Sequence, residues 1–134
     1  MQERHNDNQW THSRFNSFIK GLLRAGMRGW GPKHAVKKEA WVKRGVYRCR
    51  GYKKRWHHVP VTIKQGKKRV VNVFVDHISP VIDPNKGFVS WDDTIDRMFC
   101  EKEGLQLLCK KCHDLKTSDE RVISNKRKKN ETIS

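Results

Sequence analysis

The sequence predicts an α+β fold, a small zinc-stapled core with a basic helical arm before it and a flexible basic tail after it. Three observations carry that prediction. At 134 residues, 35% of them apolar, the chain has room for one domain with a modest core, a size that gains from a staple. The run Leu107-Leu108-Cys109-Lys110-Lys111-Cys112-His113 contains a Cys-x-x-Cys turn, whose two thiolates can reach one tetrahedral ion. The formal charge of +16 is one-sided: residues 1–75 hold 19 Lys and Arg against 3 Asp and Glu, and residues 76–134 hold 11 against 11.

Met1–Gln9 is polar and reads as loose. Thr11 then suits the N-cap of a helix carrying Phe15, Phe18, Ile19, Leu22 and Leu23 at helical spacing, ended by Gly26, Gly29 and Gly31. After Pro32 a second helix is predicted over Lys33–Lys43, with Gly45 as its stop. These helices make up the arm, residues 1–44. Val46–Cys49 reads as a short strand, and His57–Ile63 as a second, turning at Gln65-Gly66-Lys67 into Arg69–Val75. That hairpin ends on Asp76 and His77. Ile82-Asp83-Pro84-Asn85-Lys86-Gly87 is turn chemistry, and Ser90 with Asp93 resembles a capping box. Leu105–Leu108 is a brief buried strand. A last helix from Cys112 carries His113, Lys116 and Glu120 to the end of the core, residues 45–120. From Arg121 five basic residues meet one acidic residue, and an unordered tail over 121–134 is expected.

No charged-then-apolar leader and no run of about 18 apolar residues interrupts the chain, so a soluble intracellular protein with reduced thiols and no membrane partner is expected. A redox dithiol is disfavoured because no βαβ pattern surrounds Cys109 and Cys112. The positive field attracts polyanions, and neutralised phosphates release counterions from nucleic acid. The expected phosphate contacts are Lys37, Lys38, Lys43, Arg44, Lys53, Lys54, Arg55 and, one turn beyond His113, Lys116.

Asp76-His77 lies 36 positions before His113 and offers a hard oxygen ligand beside an imidazole base. With this pair in place the chain resembles the HNH endonucleases, the ββα-metal nucleases, and in particular the small HNH proteins that phages encode. The resemblance runs from about Tyr47 to Glu120. It is carried by Tyr-x-Cys at Tyr47–Cys49, Val-Asp-His-Ile-x-Pro at Val75–Pro80, and Leu-Gln-Leu-Leu-Cys-x-x-Cys-His-x-x-Lys-Thr at Leu105–Thr117. It implies two antiparallel strands and a helix around one divalent ion, with Asp76 and His113 as its ligands and His77 as the general base that activates water. A carboxylate and a neutral imidazole suit Mg²⁺, Mn²⁺ or Ni²⁺, and an imidazole titrates near neutrality, so the chemistry agrees with those roles.

Two positions depart from the family pattern. Family members carry an asparagine nine residues before the last histidine, where this chain has Gly104, so Glu103, Gln106 or a backbone carbonyl must orient His77 instead. The family's zinc ribbon has two Cys-x-x-Cys knuckles, whereas Tyr52 stands where the partner of Cys49 belongs. Cys49, Cys109 and Cys112 therefore need a fourth ligand from Cys100, His57 and His58. Similar phage proteins place a histidine at the spacing of His57, which gives a Cys3His zinc site of Cys49, His57, Cys109 and Cys112.

The function implied is a metal-dependent DNA endonuclease or nickase of low sequence specificity, acting in the cytoplasm of an infected host in phage genome processing or host DNA degradation. Packaging or replication proteins of the phage are its further expected partners. The other class that fits is a zinc-stapled DNA-binding accessory protein that does not cut.

Overall fold

A computed structural model describes residues 4–133 and has a mixed α+β architecture of four helices and four small sheets. Of the loose stretch expected over Met1–Gln9, the first three residues lie outside the described range, as does Ser134 of the tail. The chain divides into two compact units, up to Trp30 and from Gly31 onward, so the expected arm ending at residue 44 is cut within its length.

In the first unit β1 (Arg4–His5) and β2 (Trp10–Thr11) pair antiparallel around Asn6-Asp7-Asn8, all three at positive φ, which Asn and Asp tolerate better than other side chains. The Thr11 side chain then caps α1 (His12–Gly26) by accepting from the backbone N–H of Arg14. A single 3₁₀ turn, Met27–Gly29, follows.

The second unit opens with α2 (Gly31–Ala40), shorter than expected. Trp41–Lys43, expected as its last turn, is instead β3, paired antiparallel with β4 (Val46–Cys49). Trp41 and Val42 favour strand, and Gly45 at φ +77° gives the tight reversal that places Lys43 opposite Val46. Buried Val36 joins α2 to the core, which is why this helix belongs with the domain and not with α1.

The long strands expected over His57–Ile63 and Arg69–Val75 are each broken. β5 (His57–Pro60) pairs with β4, β6 (Thr62–Gln65) pairs with β7 (Lys68–Val71), and β8 (Val73–His77) pairs with β9 (Leu105–Cys109). Asn72 makes the break: its side chain donates to the Pro60 carbonyl at 2.8 Å and accepts from Lys110 N–H at 3.2 Å, groups at the end of β5 and the start of the last helix. Asp76 and His77 thus end a strand whose partner is β9, and the β6–β7 hairpin only leads into it.

Ser90 caps α3 (Trp91–Met98) through Asp93 N–H, as the capping signal predicts. Every residue of β9 is buried, and with Cys49, Val59 and Val73 it forms the core between α2 and α4. The last helix, α4, runs from Lys110 to Ile133. The unordered tail expected from Arg121 is therefore helical. Arg127 bonds Glu131 one turn on and donates to the Pro84 carbonyl at 3.1 Å, tethering this part of α4 to the loop before α3. No helix among the described residues is long and apolar enough to cross a membrane.

Candidate metal centres

Cys49, His57, Cys109 and Cys112 each present a ligand atom, and these atoms lie within 4.8 Å of one another, so the four residues can hold one metal ion. Strand register assembles half of the set, since Cys49 stands opposite His57 on β4–β5. The Cys-x-x-Cys turn from β9 into α4 supplies the rest. Burial is nearly complete for the three thiols. Gly51 N–H and Cys109 N–H both point at the Cys49 sulfur, at 3.4 and 3.2 Å. Gly51 sits at φ +85°, and a Cβ there would come within 2.4 Å of the Lys54 carbonyl oxygen, so this turn takes only glycine.

The donor set suits zinc geometrically. Tetrahedral sulfur and nitrogen ligands at about 2.3 and 2.0 Å from an ion stand about 3.5–3.8 Å apart. His57 Nε2 and Cys109 Sγ are separated by 3.7 Å. His57 Nδ1 donates to the Arg55 carbonyl at 3.2 Å, which leaves the Nε2 lone pair for a metal. The thiols are pushed in opposite directions. Burial raises Cys49 to about 11, whereas for Cys109 the opposing burial is outweighed by the Cys112 backbone N–H and by His57, which bring it down to about 7. Crowded sulfurs of this kind cannot all ionise without a cation between them. The reserve candidates lie elsewhere in function: His58 faces the opposite side of β5 by strand alternation, and Cys100 packs against Gly104.

The second group lies toward the other end of β8–β9. Asp76 is opposite Gln106 and His77 opposite Leu105, while His113 stands in the first turn of α4. Asp76 Oδ2 is occupied, receiving Lys116 Nζ at 3.0 Å and Gln106 Nε2 at 3.2 Å. Its Oδ1 is turned toward His113 Nε2 at 4.0 Å. Two donors each about 2.1 Å from one ion are at most about 4.2 Å apart, so this pair is within reach of a single cation. Phe74 stacks on the His113 ring at 5.1 Å between centroids and fixes its plane.

His77 Nε2 lies 2.7 Å from the Met98 carbonyl oxygen. A carbonyl only accepts, so Nε2 carries the proton and Nδ1 keeps the lone pair. Of the three substitutes expected to orient His77, a backbone carbonyl does so, and it comes from the end of α3. Gly104 contributes through its backbone: its carbonyl accepts from Ile78 N–H at 2.9 Å and pins the residue after His77. A Cβ on Gly104 would lie 2.9 Å from the Cys100 sulfur, so an asparagine there would require the Cys100 side chain to shift.

Lys116, expected among the phosphate contacts, is buried and engaged with Asp76, with Glu120 and, at 3.0 Å, with the His77 carbonyl. Burial alone would lower its pKa, but the ion pairs with Glu120 and Asp76 outweigh it and raise the value. Its role is to hold Asp76, not to meet solvent. The other expected contacts are exposed. Lys53 pairs with Asp119 at 2.9 Å, Lys37 lies over the Tyr47 ring, and Lys38, Lys43, Arg44, Lys54 and Arg55 stand at the surface. Tyr52, in place of a second knuckle cysteine, donates to Asp119 at 2.6 Å and ties the β4–β5 loop to α4. Gln106, one of the groups expected to orient His77, bonds Asp76 instead, and Glu120 is marked in the sequence only by its i,i+4 spacing from Lys116. Nothing in the sequence marks the Met98 carbonyl.

Comparison of the chain with family models, with curated proteins and with solved structures finds no match.

Proposed function

We propose that this chain is a metal-dependent DNA endonuclease or nickase of the HNH type, stapled by one structural zinc at Cys49, His57, Cys109 and Cys112. The observation that carries the reading is the split use of the Asp76 carboxylate. One oxygen is tied down by Lys116 and Gln106, and the other faces His113 at single-ion distance; next in sequence stands His77, whose Nε2 is held by the Met98 carbonyl. Asp76 and His113 would hold a divalent cation such as Mg²⁺, Mn²⁺ or Ni²⁺. When bound, such an ion supplies Lewis-acid stabilisation of charge developing on a scissile phosphate and its leaving oxygen.

The protein's own groups supply the rest of the chemistry. His77 takes a proton from water at Nδ1, and the Met98 carbonyl steadies the imidazolium that results. Lys116 keeps Asp76 aimed. The one-sided positive charge holds the phosphate backbone with little regard to base sequence, which fits low specificity. A phage setting, with the host cytoplasm as its location and packaging or replication proteins as partners, belongs to the same reading and rests on the resemblance alone.

The test is relaxation of supercoiled plasmid by the zinc-loaded chain with Mg²⁺ or Mn²⁺. Nicked circles from wild type and none from His77→Ala are expected. If neither nicks under any divalent ion while both retard DNA on a gel, the chain is a binding protein and the nuclease reading fails.

A further inference from the structure

Strand alternation puts Arg48 and His58, directly across from each other, on the face of the β4–β5 ladder opposite the thiol cluster, with Arg50 and Trp56 just beyond the paired residues. On that face lies a cleft of about 440 Å³, in the size class of small-ligand clefts. Its floor is apolar, made by Val36 and Leu105 of the core, and its walls carry Arg48, Arg50, Trp56 and Glu103. Glu39 at the rim is neutralised by Lys102 at 2.8 Å. Trp56 is 55% exposed, an unusual setting for the largest apolar side chain. Its ring is not left adrift: the Arg48 guanidinium lies over it at 5.3 Å, and the His58 ring leans on it at 5.6 Å.

We propose that this cleft is a subsite for one unstacked nucleobase of single-stranded DNA, with Trp56 as the stacking platform and Arg48 and Arg50 holding the adjoining phosphates. The inference rests on the nucleic-acid reading above and adds a substrate class to it. A held indole in a shallow cleft gives a base a π-face at small entropic cost, and any of the four bases can use it. The guanidinium groups supply the positive charge that a phosphate on either side of that base requires. Glu103 offers an acceptor suited to a base N–H, amino or imino, and unsuited to phosphate, so the base and not the backbone enters. Leu105 of the floor and Gln106 beside it belong to β9 and stand opposite His77 and Asp76 of β8, so the base subsite adjoins the strand pair that carries the proposed metal ligand Asp76.

The experiment is fluorescence anisotropy of the zinc-loaded full chain, without a second divalent cation, on a short labelled oligothymidylate and on an abasic strand of equal length and charge. Wild type should prefer the base-bearing strand by about tenfold, Trp56→Ala should bring the two strands to parity, and Trp56→Phe should restore most of the preference. Arg48→Gln should weaken both strands together. Equal affinity of wild type for both strands, or a preference that survives Trp56→Ala, overturns the subsite while leaving the nuclease reading intact. Failure to bind either strand or duplex overturns both. Thermal melts of the two Trp56 variants separate loss of the platform from loss of fold, since Trp56→Phe keeps a ring in place.

Discussion

The thiol cluster, carried by β4, β5, the end of β9 and the first turn of α4, and the Asp76–His113 pair, carried by β8 and that same turn, differ in the physical respects that govern metal chemistry. The cluster has four donors, three of them buried sulfurs, and the backbone N–H groups of Gly51 and Cys109 bond the Cys49 sulfur. The pocket has one carboxylate oxygen and one imidazole, both partly open to solvent, with a lysine and a glutamine bracing the carboxylate from behind. On the function proposed above, the closed four-ligand site contributes folding energy and the open pair contributes chemistry. Because Cys112 and His113 are consecutive in the chain, an ion at the cluster would also hold His113 in place.

If that division is right, damage at the cluster removes the fold and damage at the pocket removes only catalysis. Cys109→Ser should have the largest effect. Structural zinc contributes about 10–16 kcal/mol in small peptides, more than the usual stability of a domain, so the variant should lose its cooperative melt by circular dichroism and its one-to-one zinc by metal analysis. A folded, metal-free Cys109→Ser chain would erase the contrast. His77→Ala should lower nicking by about 10²- to 10⁴-fold with the melt unchanged, measured as the rate of plasmid relaxation.

Lys116→Met sharpens the comparison because it touches the brace and no metal donor. Leaving Asp76 and Glu120 without their cation should cost about 2 kcal/mol in urea unfolding, the lower range for a buried pair because both carboxylates retain some solvent. Tyr52→Phe should cost least, about 1 kcal/mol for one hydrogen bond. The bond to Asp119 raises the Tyr52 hydroxyl from 10.0 to about 12. A group whose folded pKa is raised stabilises the fold below its unfolded value and ceases to do so as pH climbs through the folded one. Wild type should therefore lose this increment between pH 10 and about 12, and Tyr52→Phe should show a shallower decline over the same window.

The sequence discloses these regions unequally, and the reasons are physical. Caps and tight turns are local, so Thr11, Ser90 and the Gln65–Lys68 reversal stand where the residue pattern places them. The four-residue cluster was readable because two thiols come in one turn and the third is fixed by Tyr-x-Cys, although His57 over His58 needed a likeness to other proteins, and its geometric reason is the register Cys49–His57. Strand continuity was not readable through Asn72, because what breaks the strand is a pair of hydrogen bonds to Pro60 and Lys110, remote in sequence. Nor was the end of α4: charge count alone suggests an unordered tail, whereas Arg127 finds a partner 43 residues upstream at Pro84. Lys116 looked like one more surface cation for the same reason, since its burial depends on where β8 sets Asp76.

The most direct measurement is titration of Mn²⁺ into the zinc-loaded chain, followed by electron paramagnetic resonance, for wild type, Asp76→Ala and His113→Ala. One Mn²⁺ per chain in wild type, weakened strongly in both variants while zinc content and melting stay constant, is the predicted result. Absence of a second bound ion in wild type, or an ion that both variants retain unchanged, would contradict the account.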